Sequence, residues 1–470
     1  MKNRYLLALL AVAVVFIFLR IYTLDTSLLF FNDIGRDYWV LYTWQQTHKP
    51  PLLGPQTSAL PYNQSAVYFY MLLPFFVLTG QSPYASVITI CVYSLAGFGL
   101  LYYLTQHQKI FHIPILSSLL LISIHPQIII QNRFVWNPSF LPITLLIAVV
   151  AWLLLLESWK LKYLVIFALS ITLAVSLNYS AGPALIAFGV ISALLLKSKT
   201  KVLQLIVALG GSLLFFNFPT IVFEIRHKFL LTNLLLHGEK LPQTATGWLE
   251  KAEKLFSFSF TNVSLLLLIA MGLYLVIIIC FHFVSKKPVF VSLVRPSVLL
   301  FITTIAITLL VPISIQAHYI FAVLTIGIFT ISLLRPRLLI PLLLLCVIAW
   351  LQPNQAKSYF APVYRTFGQS LACAQQICSM IDKPTYVSVQ SDLHPYHNGM
   401  EWKYMLARSG CNVKELDTQF DQADLMVVVV DHSQYEHGKT TYNELTQFGP
   451  STQLFTTTCS EYLWATIIQR

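Results

Sequence analysis

One stretch near the N-terminus has the makings of a reactive site: Phe31-Asn-Asp-Ile-Gly-Arg-Asp-Tyr-Trp-Val-Leu-Tyr-Thr-Trp44. Asp33 and Asp37 are four residues apart, so a helix would carry both on one face, with Arg36 beside them. Two such carboxylates can divide labour. One accepts a proton from an attacking hydroxyl, while the other orients the acceptor or holds a divalent cation such as Mg or Mn. Asn32 or Asp33 suits an N-cap, and acidic groups suit a first helical turn. The plainer reading is a capped helix with a surface Arg–Asp pair. Beside a bilayer that reading weakens, because ionisable groups there are usually functional.

The other chemistry-bearing residues fall at the ends of apolar runs. They are Arg133 with Trp136-Asn137, then Glu224-Ile-Arg-His-Lys228, then His318-Tyr319. Arg133, Arg226, Lys228 and His318 are candidates for an anionic head group, since guanidinium binds phosphate oxygens bidentately. Each taken alone reads as a snorkelling interfacial side chain. Arg36, Tyr62, Asn63, Trp136, Asn137, His227 and Tyr319 are candidates for contacting a sugar or an acceptor. The aromatic density around Tyr62 and Tyr68-Phe-Tyr70 suits sugar stacking, though an interfacial helix alone would explain most of it.

These residues must be positioned by a membrane body. Of 470 residues 56% are hydrophobic and 10% charged, too apolar a mixture for a wettable soluble fold. Apolar runs of bilayer-spanning length recur through the first 350 positions. Threading them from a cytoplasmic N-terminus gives about eleven crossings: the first a retained signal anchor over Tyr5 to Leu19, the third over about 113–130, the eighth over about 262–284 and the last ending near Trp350. On that threading Lys109, Lys160/Lys162, Lys197/Lys199/Lys201, Lys286/Lys287 and Arg335/Arg337 all fall inside, as the positive-inside rule requires. The net charge of +11 therefore reflects topology and argues against a nucleic-acid partner. Of the 19 carboxylates, eleven follow residue 352; of the remaining eight only Glu157 is expected inside. Acid–base chemistry in the membrane body thus belongs to the outer face.

Residues 1–351 read as the transmembrane domain and 352–470 as a small, soluble, extracytoplasmic α/β domain. Strand-like runs there include Tyr386-Val-Ser-Val389 and Leu425-Met-Val-Val-Val-Val430. The four tail cysteines, Cys373, Cys378, Cys411 and Cys459, suggest two disulfides, with three connectivities open.

Together, Asp33-Ile-Gly-Arg-Asp37, Leu53-Gly-Pro-Gln-Thr57, Arg133-Phe-Val-Trp-Asn-Pro138, Glu224-Ile-Arg-His227 and His318-Tyr319 resemble motifs of bacterial GT-C glycosyltransferases. These are relatives of protein O-mannosyltransferases and of the lipid A aminoarabinose transferase. The resemblance covers about residues 1–350. It implies juxtamembrane helices in the first outer loop, a polyprenyl-phosphate sugar donor, and inverting transfer to a glycan, lipid or protein acceptor at the outer face of the inner membrane. Carried over, Asp33 would be the base with Asp37 in support, and Arg226 and His318 would meet the lipid phosphate. The Asp-Glu doublet of many relatives is replaced by Asn32-Asp33, which leaves the need for a metal and the role of Asp37 open. A transporter or flippase of a lipid-linked or glycan substrate is the alternative, disfavoured because the spans themselves carry few charges. A receptor anchored by the spans ranks last.

Overall fold

The computed structural model describes residues 2–57, 62–237, 247–259, 288–312, 314–333, 359–391, 399–432 and 443–470, with isolated positions between 339 and 350 and at 435–436. The expected crossing over 262–284, most of the one ending near Trp350, and the basic loop residues Lys286, Lys287, Arg335 and Arg337 lie outside these residues. Contacts group the chain into two compact units. The first comprises Met1–Tyr22, Pro51–Thr79 and Tyr84–Phe360; the second comprises Thr23–Pro50, Gly80–Pro83 and Ala361–Arg470.

The first unit is a helical membrane body. Among its helices are α1 (Lys2–Ile21), α4 (Val67–Leu78), α5 (Ala85–Thr105), α6 (His112–Ile124), α7 (Pro126–Arg133), α8 (Leu141–Glu157), α9 (Leu161–Leu177), α10 (Gly182–Leu195) and α11 (Lys199–Phe216). They continue with α12 (Phe218–Arg226), α13 (Leu230–His237), α14 (Trp248–Ser259), α15 (Pro288–Leu310) and α16 (Phe321–Ser332). Among the described residues five helices are long and apolar enough to cross a membrane, or six if one bent pair counts as a span. Four shorter apolar helices accompany them among the described residues, and two short strands, β1 (Leu53–Gln56) and β2 (Asn63–Ser65), pair antiparallel. α8 is buried on every side, consistent with an apolar composition all round, and its Trp152 donates to Ser192 Oγ at 2.9 Å. Gly97 of α5 lies so close to α8 that a Cβ there would fall 2.3 Å from Ile143 Cγ2.

The bent pair is the expected third crossing. Its apolar run continues through His125-Pro126, but the helix does not: α6 and α7 meet at 63°. Pro126 lacks the N–H for the helical bond and pushes His125 into an extended conformation (φ −66°, ψ 125°).

The second unit is α/β. Its helices are α2 (Leu24–Ser27), α3 (Asp33–Thr47), α17 (Phe367–Cys378), α18 (Met400–Arg408) and α19 (Asn443–Phe448). Its four-stranded sheet runs in the order β3-β4-β6-β5, with β3 (Thr385–Ser391) parallel to β4 (Leu425–Asp431), and β6 (Leu463–Gln469) antiparallel to β4 and to β5 (Thr452–Ser460). Every residue of β3 and β4 is buried, which fits their β-branched runs. Disulfides Cys373–Cys459 and Cys378–Cys411 tie α17 to β5 and to the turn after α18. Each closes a chain loop that is costly to order without a cross-link.

Candidate functional site

In the second unit, α3 begins at Asp33, one turn after an aromatic anchor. Phe30 packs edge-on against Tyr38 and Phe367, with ring centroids 5.2 and 5.0 Å away. Arg36 joins the two carboxylates. Its Nη1 donates to Asp33 Oδ1 at 2.7 Å, while Nε and Nη2 both donate to Asp37 Oδ1 at 3.0 and 2.8 Å. Asp37 is buried, at 1% side-chain exposure, whereas Asp33 keeps 33%. The trio therefore has one anchored carboxylate, one reachable carboxylate, and a cation fixing their spacing.

The N-cap of α3 departs from expectation. Asn32 makes no side-chain cap, and its backbone is at φ 40°, ψ −98°. A non-glycine residue held there carries strain of about 1–3 kcal/mol. Its backbone N–H instead donates to Glu401 Oε2 on α18, at 3.3 Å and 369 residues away in sequence. Glu401 is fully buried and paired with Arg365 Nη2 at 3.6 Å. Arg365 Nη1 lies 3.4 Å from Asp431 Oδ2, and the Trp402 ring packs against its guanidinium. His432 Nδ1 approaches Asp431 Oδ1 at 2.8 Å. Burial pushes the neighbouring Tyr364 hydroxyl up to about 12; Arg365 works against that shift, while Asp431 and Glu401 add to it.

Further along, Trp39 donates to Glu415, which also pairs with Lys403 at 3.0 Å, and Tyr42 donates to the Ala407 carbonyl at 3.1 Å. Gly35 explains the tightness of the α3–α18 crossing. A Cβ there would lie 2.4 Å from both Cα and N of Glu401.

In the first unit the basic candidates fare differently from one another. Arg133 is buried and its Nη1 donates to the carbonyls of Tyr22, Arg20 and Leu19 at 2.9, 3.1 and 3.4 Å, capping the C-terminus of α1. Arg20, fully buried, does the reverse. It donates to the Ser123 carbonyl at the broken end of α6 and to Asn132 Oδ1 at 3.0 and 3.2 Å. Arg226, His227 and Lys228 are exposed at the end of α12. His227 is engaged with its own helix, its ring stacked on Phe223 and Nδ1 2.9 Å from the Phe223 carbonyl.

The corner that follows is held by Glu224, whose carboxylate accepts from Leu231 N (2.9 Å), Thr232 N (3.1 Å) and Thr232 Oγ1 (2.6 Å) at the start of α13. Burial alone would raise this carboxyl, but the Thr232 hydroxyl and the two backbone donors outweigh it and hold it below the ordinary range. Between the two helices Lys228 and Phe229 both take positive φ, 54° and 59°.

Trp136 and His318 meet edge-on at 4.6 Å, and His318 touches Tyr319 at 4.3 Å. Asn137 Nδ2 donates to the Leu177 carbonyl at 2.6 Å. Tyr62 lies 5.9 Å from Tyr179, which donates to the Asn63 carbonyl at 2.8 Å. Burial, then the Glu224 charge, raises the Tyr62 hydroxyl. Among the described residues no hydrogen bond, ion pair or ring contact joins Arg226 to His318. Nor does any group of three or more His, Cys, Asp and Glu side chains gather as a metal ion would need.

Sequence reasoning missed Arg20, Glu401, Arg365 and Asp431. Nothing in the spacing links positions 401 and 32. For Arg20 a signal existed: an arginine at the end of an apolar helix must find acceptors for its guanidinium within the protein or at the interface.

The chain is similar over nearly its whole length to ArnT from Cupriavidus metallidurans. For the apo structure the identity is 13%, covering 99% of this chain and 98% of that one at a TM-score of 0.60. For ArnT bound to undecaprenyl phosphate the identity is 12%, covering 100% and 98% at a TM-score of 0.57. At that identity the likeness establishes the fold. No protein-family model and no curated protein matches the sequence.

Proposed function

We propose that this protein is an inverting glycosyltransferase that moves a hexose or pentose from a polyprenyl phosphate to an acceptor hydroxyl. The observation that carries the reading is the whole-chain likeness to a transferase fold whose solved relative holds undecaprenyl phosphate. The acceptor hydroxyl attacks the anomeric carbon, the bond from that carbon to the phosphate oxygen breaks, and polyprenyl phosphate departs. Asp33 accepts the proton as the new bond forms, through Oδ2, since Oδ1 is bound by Arg36. Asp37 anchors Arg36 and so fixes Asp33. Phosphate leaves readily as an anion, so the remaining requirement is charge stabilisation, which we assign to Arg226 and Lys228 with His318 in support. We give Arg133 no part in holding the phosphate, since its Nη1 caps α1. A divalent cation does not fit between Asp33 and Asp37 while Arg36 occupies that place, and the reading has no step through one.

On the threading of about eleven crossings we assign the reaction to the outer face of the inner membrane, with residues 352–470 extracytoplasmic and membrane lipids as neighbours. The broken α6–α7 helix is the one observation favouring a transporter. Arg20 donating across that break argues against an open substrate path there.

The test is release of undecaprenyl phosphate from a panel of synthetic undecaprenyl phosphate hexoses and pentoses by the purified protein in nanodiscs, with an extract of bacterial envelope lipids and glycans supplied as acceptor. Wild type should consume at least one sugar donor, and Asp33→Asn should abolish this. Full activity in Asp33→Asn would remove the base; donor carried across a sealed vesicle without cleavage would favour transport.

A further inference from the structure

The second unit contains a buried charge network that the proposed chemistry leaves unused. Glu401 stands at its centre, with no exposed surface. A carboxylate in that setting must be paired and hydrogen-bonded to persist as an anion. Arg365 supplies the charge and is itself shared with Asp431, so three buried groups form a row. At its far end His432 approaches Asp431 and retains 25% side-chain exposure. At its near end the row terminates on a backbone group, the N–H of Asn32.

That endpoint is the informative one. Asn32 immediately precedes Asp33, and its φ and ψ set the direction in which α3 starts and Asp33 projects. Its φ of 40° lies in the left-handed region, and its side chain makes no cap to compensate. The strained conformation therefore needs a hold from elsewhere, and Glu401 Oε2 accepts from the very peptide concerned. The same residue is the point of closest approach between the helices, where Gly35 leaves no room for a Cβ against Glu401 Cα and N. Helix α3 is thus pinned twice to one residue, once through its backbone surface and once through the carboxylate.

We propose that Glu401, charged and fixed by Arg365 and Asp431, is a positioning residue for Asp33. It holds Asn32 in a conformation that aims the base. The α/β unit then contributes to the chemistry directly rather than serving only as an appendage for acceptor recognition. This rests on Asp33 being the base, and the two ideas fail separately.

The experiment uses the full chain in nanodiscs, reading release of undecaprenyl phosphate from whichever synthetic sugar donor wild type consumes, together with hydrogen exchange over residues 31–37. Glu401→Gln keeps the shape and removes the charge. It should lower kcat at least tenfold with KM for the donor within twofold, and accelerate exchange at 31–37 while exchange in α8 stays unchanged. Asp33→Asn combined with Glu401→Gln should be no slower than Asp33→Asn alone, because the lost function is shared. Asn32→Gly, which makes the left-handed backbone easy, should restore at least part of kcat in the Glu401→Gln background. That rescue is a result a merely structural role would not give.

Should Glu401→Gln fail to fold, Arg365→Lys carries the same expectation in milder form. Normal kcat and normal exchange in Glu401→Gln, or no rescue by Asn32→Gly, overturns the positioning role. An active Asp33→Asn overturns the base instead. If no donor in the panel is consumed, exchange at 31–37 and its reversal by Asn32→Gly still decide whether Glu401 holds this backbone.

Discussion

Two corners of this molecule solve the same problem with help from different distances. At Asn32 one non-glycine residue is held at positive φ before α3; at Lys228 and Phe229 two are held so between α12 and α13. In each case a carboxylate accepts from backbone N–H groups. Glu224 reaches only eight residues forward, to the first turn of α13. Glu401 comes from 369 residues away and from another helix of its unit. A local hold forms as soon as the segment folds and costs little chain entropy. A distant hold exists only when the α/β unit is complete, so the acidic helix is set by tertiary structure and the basic corner by its own sequence.

The contrast can be broken in order of expected effect. Asp33→Asn should reduce transfer by about 10²–10⁴-fold, the range for removing a general base, with the protein's thermal midpoint unchanged in a melt. Gly35→Ala comes next. Its methyl would meet Glu401 backbone rather than a flexible side chain, and overpacking of that kind costs about 1–3 kcal/mol; a lowered midpoint of the α/β unit by circular dichroism checks it. Glu224→Ala should cost about 1 kcal/mol, the usual worth of an N-cap, and show as faster hydrogen exchange confined to residues 224–237. It should weaken undecaprenyl phosphate binding to Arg226 and Lys228 while leaving exchange at 31–37 untouched.

The same corner has a pH signature. The Glu224 carboxyl is held below its unfolded value, so its stabilisation is present above the ordinary carboxylate range and is lost as pH falls through the lowered folded value. Once the intrinsic pH dependence of amide exchange is divided out, protection of α13 should therefore fall on acidification in wild type and be pH-flat in Glu224→Ala. The smallest effect is a gain: Asn32→Gly should stabilise the α/β unit by about 1 kcal/mol or less, as relieved strain outweighs glycine's extra chain entropy.

What could be read in advance follows the same division between local and distant. The apolar runs of α1, α5, α8 and α11 announce membrane helices because hydropathy is a local property, and Asp33, Arg36 and Asp37 share a face because helical spacing is local too. β3 and β4 were visible as valine-rich runs, but their parallel pairing was not, since it depends on α18 and its connections. The third crossing was read as continuous because hydropathy does not register Pro126, although the residue itself was a fair warning. The position of Arg133 at a span end was legible, whereas the three carbonyls it caps were not. Glu401 carried no mark at all, being one of three charged residues in a nine-residue helix.

The reciprocal arginines at the end of α1 bear on how the chain is built. Apart from the Phe16 carbonyl of its own helix, Arg20 finds its acceptors in residues 122–132, and the last carbonyls of α1 find their donor in Arg133. Neither set exists when the first hydrophobic segment leaves the ribosome. Until the third segment is inserted and has bent at Pro126, Arg20 must keep its guanidinium at the lipid–water boundary, since burying it without partners is expensive. Membrane insertion of the first helix is therefore provisional and becomes final only at residue 133. A lesion anywhere in Pro126–Arg133 would register first as a defect of biogenesis, with α1 exposed to quality-control proteolysis, before any catalytic step could be measured.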